Sequence, residues 1–168
     1  MKFQIAGLPR SGTAWVASVL NLCPDVICVH EPPDLNVPVP VGLYHHCGES
    51  GSHLLVPDYR DEPADLRIFL KRNERHCYNS TNILFDDAMT RDSWLETLIP
   101  LAHEYERKSD IAIEFDQLFR IEAVKYIWNE ISDSRFDEDK VSLLLNMNIQ
   151  RESLEYKFSP KFANSLKH

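Results

Sequence analysis

Phe3-Gln4-Ile5-Ala6-Gly7-Leu8-Pro9-Arg10-Ser11-Gly12-Thr13-Ala14-Trp15 passes from an apolar, strand-like run (Phe3 to Ala6) through a glycine-rich turn into a helix-like segment. A turn of this kind builds an anion site from backbone alone. The first N–H groups of a helix have no intrahelical partner, and the helix dipole adds partial positive charge there, so a phosphate docks on the main chain. Gly7 and Gly12 permit a tight turn and close approach. Arg10 adds a fixed cation with several donors, and Ser11 and Thr13 add hydroxyls.

The nucleotide-triphosphate loop G-x-x-x-x-G-K-[ST] is the first comparison. Gly7 and Gly12 fit its glycines, but Thr13 stands where the lysine belongs and Ala14 where the magnesium-binding hydroxyl belongs. That argues against ordinary triphosphate hydrolysis. Pro9, Arg10, Ser11, Gly12, Thr13 and Trp15 instead resemble the 5′-phosphosulfate loop of the sulfotransferases, P-[KR]-S-G-T-[TS]-x, with Ala14 departing from the usual hydroxyl residue. Those enzymes take sulfate from 3′-phosphoadenosine 5′-phosphosulfate (PAPS). The resemblance implies that residues 9–15 hold the phosphosulfate end of PAPS, and that Trp15 takes the position that stacks on adenine in cytosolic members.

Composition bounds the function without choosing it. A chain of 168 residues is one domain on size grounds and buries a real core. With 43% hydrophobic and 26% charged residues it reads as an ordinary globular protein. The formal charge of −8 disfavours a nucleic-acid surface, so a polyanionic ligand must be held by local basic groups. Cys23, Cys28, Cys47 and Cys77 form no CxxC pair, and MKFQIAG shows no signal-peptide segment. The expectation is free thiols in a reducing cytoplasm. No run approaches the roughly 20 apolar residues that span a bilayer, so no membrane partner is expected.

After the loop, Gly12 to Leu22 presents a helical apolar face that Pro24 ends, and Val26 to Val29 reads as a buried parallel strand. Residues 32–60, rich in proline and glycine, read as an irregular lid or substrate loop, in which His53 to Val56 is a possible short strand. His45, His46, Cys47 and His53 lie in it in no zinc-like spacing, so no metal is expected there. Leu66 to Leu70 is the next strand, followed by a helix to about Phe85. A helix from about Arg91 to Arg107 should kink or split at Pro100. Ile111 to Phe115 is a further strand, with helices Ile121 to Ile131 and Asp137 to Leu145 after it and an uncertain polar tail from Gln150. Four strands alternating with helices predict a three-layer parallel α/β sheet in a single domain, residues 1–168, and the resemblance implies that it is of P-loop, sulfotransferase-like type.

Leu66 to Asn73, continuing to Ser80, carries a second resemblance. Sulfotransferases have a strand ending in arginine and, seven residues on, a serine opening a helix, and this pair grips the 3′-phosphate. Arg72 and Ser80 reproduce that spacing, with His76 and Cys77 replacing the usual Asp and Val. The family's C-terminal R-K-G-x-x-G-x-W segment has no counterpart, which leaves Arg151, Lys157 or Lys161 to replace it.

Sulfuryl transfer is an in-line displacement whose charge builds on the bridging oxygen and leaving phosphate, so a fixed cation there counts most. Arg10 is assigned that role, assisted by Ser11, with no metal required. The attacking hydroxyl needs a general base. Pro24 to Glu31 resembles P-x-V-x-C-x-x-E, the segment carrying the glutamate base of tyrosylprotein sulfotransferases, and so points to Glu31. His53 is the alternative, by likeness to the histidine of cytosolic members. The reading is a PAPS-dependent sulfotransferase acting on a hydroxyl-bearing acceptor. Its rivals are a small P-loop kinase and a non-catalytic nucleotide-binding protein of the same fold.

Overall fold

Lys2–Gly7 (β1), Val26–His30 (β2), His46–Gly51 (β3), Leu66–Lys71 (β4) and Ile111–Glu114 (β5) pair, all parallel, in the order β2-β3-β1-β4-β5. The computed structural model describes residues 1–31, 45–85 and 93–146. Its helices are Thr13–Leu20 (α1), the single turn Pro57–Arg60 (α2), Glu74–Phe85 (α3), Ile99–Lys108 (α4), Ile121–Ile131 (α5) and Glu138–Leu145 (α6). The chain divides after Phe136. The sheet and α1 to α5 belong to the first unit, and α6, capped by Asp137 accepting the Lys140 N–H, belongs to the second.

The central strand explains the layering. From Phe3 to Gly7, β1 is buried at every residue, so both faces of the sheet are covered. Side chains alternate along a strand. The register Phe3↔Leu66 and Ile5↔Ile68 gathers those four on one face, while Ala6↔Phe69 lies on the other. Leu54, Leu55, Trp94, Ile99, Ala102 and Tyr105 pack against Ala6 and Phe69 to complete that second core. The result is the expected three-layer parallel α/β fold.

Three expectations need correction or sharpening. The segment 46–60, expected to be irregular, contains β3, the 3₁₀ turn His53–Leu55 and α2. His53 to Val56 is therefore not a strand. Leu54 and Leu55 are fully buried, and burying two leucines contributes about 1.5–3 kcal/mol each, which anchors a turn rather than a strand. The remainder of the expected lid, residues 32–44, lies outside the described residues, as do the start of the Arg91 helix and Arg151, Lys157 and Lys161 in the tail. At Pro100 the split falls one turn early: a π-helical segment, Trp94–Leu98, hands over to α4 at Ile99. Proline lacks the N–H and its ring crowds the carbonyl four residues back, which widens the preceding turn. Finally, α1 stops at Leu20. The Asn21 side chain then both donates to the Cys28 carbonyl and accepts the Cys28 N–H, tying the helix end to β2.

Candidate functional site

In a parallel sheet every strand delivers its next residue to the same edge, and ligands collect there. Taken in sheet order, the residues arriving at that edge are Glu31 after β2, Gly51 and His53 at the end of β3, Arg10 to Gly12 after β1, Arg72 after β4 and Phe115 after β5. All the catalytic and anion-binding candidates except Ser80 and the helix residues therefore share one rim by topology alone.

The loop after β1 has the backbone of an anion cradle. Arg10 and Gly12 have φ of 72° and 98°, with Ser11 between them. Left-handed residues flanking an ordinary one turn successive N–H groups toward a common point. The start of α1 has no side-chain cap and no acidic residue in its first turn. A side chain at Gly12 would come within 2.9 Å of Leu118 Cδ1 and 3.5 Å of the Phe115 ring, which is why the close turn requires glycine. Ser11 is enclosed: its hydroxyl is buried under the loop, without a hydrogen-bond partner among the described residues, at the place where a Gly7 Cβ would stand. Ser11 thus shapes the loop from below.

Arg72 and Ser80 converge on that loop. Arg10 Nε donates to Ser80 Oγ at 3.2 Å, and Arg72 Nη1 donates to the Arg10 carbonyl. The adjacency of β1 and β4, with Gly7 opposite Leu70, is what brings them together. Arg72 also lies over Phe115, its Cζ 4.0 Å from the ring centroid, a cation–π contact. Among the described residues no carboxylate pairs with Arg72. Desolvation first, and the nearby Arg72 charge second, pull the Arg10 pKa below the usual arginine value. Two guanidiniums brought together in a half-buried site are stabilised by an anion between them. The two predicted phosphate grips are therefore one continuous basic patch.

An aromatic wall adjoins the patch, and of its members the sequence points only to Trp15. Trp15 is half-buried, not a core residue, and its ring centroid lies 5.9 Å from that of Phe119. Phe119, about half exposed, meets Phe115 edge-on at 5.1 Å. Phe115 and Phe119 went unrecognised because β5 ends at Glu114, not at Phe115 as expected. The capping box of Glu114 and Gln117 turns the chain there into a 3₁₀ turn, which carries Phe115 to the rim.

The two candidate bases turn out to be neighbours. A Cβ on Gly51 would lie 2.5 Å from His53 Nδ1 and 2.6 Å from Glu31 Cγ, so both side chains pack around that glycine. Glu31 has φ 42°, and its Oε1 accepts from the Ser52 N–H at 3.3 Å and the Ser52 hydroxyl at 3.0 Å. Its Oε2 lies 3.8 Å from His30 Nε2. His53 Nε2 faces Glu49 Oε2 at 3.4 Å, and this hydrogen bond holds the Glu49 carboxyl below its ordinary range. Ser50 links this half of the rim to the loop: its hydroxyl donates to the Thr13 carbonyl at 3.2 Å, while its carbonyl accepts the Glu31 N–H at 3.0 Å.

Among the described residues no helix is long and apolar enough to cross a membrane. Compared with known proteins, the chain matches no family model and no curated protein.

Proposed function

We propose that the chain is a PAPS-dependent sulfotransferase. The observation that carries this reading is the loop Arg10 to Gly12: two left-handed residues and an uncapped helix start, with the Arg10 and Arg72 guanidiniums beside it. An anion placed there meets backbone N–H groups and two cations. The enclosed Ser11 and the absence of a P-loop lysine favour a ligand gripped by arginine over a metal-bound triphosphate. The wall of Trp15, Phe119 and Phe115 offers π-faces for an adenine next to the phosphate grips.

In this reading Arg10 stabilises charge on the oxygen that bridges sulfur and the 5′-phosphate as that bond breaks. The acceptor hydroxyl forms the new S–O bond on the opposite side of sulfur. Its proton passes to Glu31 Oε2, Oε1 being held by Ser52. The products are a sulfate ester and 3′,5′-adenosine bisphosphate. Arg72 braces the loop through the Arg10 carbonyl and Ser80 fixes the Arg10 side chain.

Calorimetry with 3′,5′-adenosine bisphosphate, 5′-AMP and magnesium ATP tests the reading. The bisphosphate should bind at least about tenfold more tightly than AMP, the return on one additional charge-assisted contact. Equal affinities would remove the 3′-phosphate site and with it the PAPS assignment, and magnesium-dependent ATP turnover would make the chain a kinase. Bisphosphate binding without sulfate transfer from PAPS to any of a panel of phenols, alcohols and tyrosyl peptides would reduce the protein to a nucleotide-binding one.

A further inference from the structure

The amino-terminal end of the sheet, opposite the rim, holds a second group of ligating side chains. Asp25 immediately precedes β2, His46 opens β3, and Asp133 follows α5. The pairing of Val26 with His46 sets the first two side by side, and the Asp133 N–H, donated to Asp25 Oδ2 at 3.0 Å, brings in the third. One ligand atom from each lies within 4.8 Å of the other two. His46 Nε2 is 3.2 Å from Asp133 Oδ2 and 3.6 Å from Asp25 Oδ2.

We infer that Asp25, His46 and Asp133 bind a divalent first-row transition ion of the Zn²⁺ class. Nitrogen and oxygen donors about 2.0–2.2 Å from one ion stand roughly 3–3.5 Å apart, and two of the three separations here already approach that spacing. One neutral imidazole and two carboxylates balance a dication. No lysine or arginine among the described residues pairs with either aspartate, and His46 is the one ionisable side chain of opposite kind beside them there. The imidazole also selects against magnesium and calcium, which prefer all-oxygen sets.

Asp25 has the outer contacts of a ligand, while His46 Nδ1 is buried with no hydrogen-bond partner among the described residues. Ser132 Oγ donates to Asp25 Oδ1 at 2.6 Å and itself accepts the Ser134 N–H at 3.0 Å, so the carboxylate is held in orientation from behind. His46 and Asp25 are 13% and 15% exposed while Asp133 is 93% exposed, which leaves the site closed on the sheet side and open to solvent on the other. An ion there joins segments near positions 25, 46 and 133, fastening β2, β3 and the exit of α5. It stands at the wrong end of the strands to take part in chemistry at the rim, so the site is structural and independent of the sulfotransferase reading.

Titration of tag-free protein with Zn²⁺, and with Co²⁺ followed by visible absorption, tests this together with thermal unfolding. Expected are one ion per chain, a cobalt spectrum without a thiolate band, a Tm raised by Zn²⁺, and affinity lowered at least about tenfold in Asp133→Asn. Because Asp133 is exposed, that variant folds, and its own Tm without metal checks this. Absence of saturable binding overturns the inference. So does binding that survives Asp133→Asn but disappears in Cys47→Ser, which would give the ion to the neighbouring thiol. Equal affinity for Ca²⁺ or Mg²⁺ would overturn the assigned class.

Discussion

The guanidinium of Arg72 donates to the main-chain carbonyl of Arg10 while lying over the Phe115 ring. One side chain thus braces the loop after β1 and stacks on the turn after β5. Lysine has a point charge and no flat fork, so it reproduces at most one of these contacts. Arg72→Lys should therefore weaken 5′-AMP as well as 3′,5′-adenosine bisphosphate, by about 1.5–3 kcal/mol for the lost charge-assisted bond. Calorimetry of both ligands decides it, because an arginine that only gripped the 3′-phosphate would leave AMP affinity unchanged.

Gly12→Ala combines two penalties. The residue sits at φ 98°, where a side chain costs roughly 1–2 kcal/mol, and its Cβ would press on Leu118 Cδ1. In a chain of this size that lowers Tm by about 2–8 °C. The same substitution disturbs the cradle, so nucleotide affinity should fall with stability; a variant that kept full affinity would show that the loop geometry is not what holds the ligand.

Gly51→Ala addresses the two candidate bases. Its methyl would push against His53 and Glu31 at once, so turnover should drop sharply with bisphosphate affinity preserved. Glu31→Gln should cut turnover by about 10²–10⁴ if Glu31 is the base, and His53→Ala far less. Steady-state rates on the three variants, beside nucleotide affinity, make the comparison. Turnover that survives Glu31→Gln but not His53→Ala would exchange the two roles.

Thiol chemistry gives an independent check on the core. All four cysteines are free, and burial raises the pKa of Cys77 to about 11 and of Cys23 and Cys28 to about 12. At pH 8, Ellman's reagent should modify Cys47 quickly and the other three only on unfolding. The sign of the pH dependence follows from the raised values. These thiols favour the folded state below the unfolded thiol range near 8.5–9, and that contribution is lost as pH climbs through 11 and 12. Alkaline denaturation should therefore steepen above about pH 9, and Cys77→Ser should move its onset.

The legible part of the fold was the part written in apolar runs. Phe3 to Ala6, Val26 to Val29, Leu66 to Leu70 and most of Ile111 to Phe115 announce themselves as strands, and the glycine loop follows the first of them. The strand that escaped, β3, reads HCGESG and has no β-branched residue. It forms because strands pair with it on both sides, and because Gly48 leaves the space that the Phe3 ring occupies, 2.2 Å from where a Cβ would be. No local propensity records such a fit. Arg10, Arg72 and Ser80 stand out through the resemblance of their segments to sulfotransferase motifs, but their convergence on one patch depends on β1 lying beside β4. Asp25 and Asp133, 108 positions apart, carry no mutual signal in the sequence at all.

The pairing order acts as a ruler. Neighbouring strands stand ~4.8 Å apart, so the five strand ends set Glu31 and Phe115, four spacings distant, about 19 Å from one another. A nucleotide lying along that edge with its base against the aromatic residues has its reactive end near the middle, over β1. Under the proposed sulfotransferase reading, an acceptor must then enter over β2 and β3. On that reading, substitutions that alter acceptor choice belong on that flank, and substitutions that alter donor choice belong on the other.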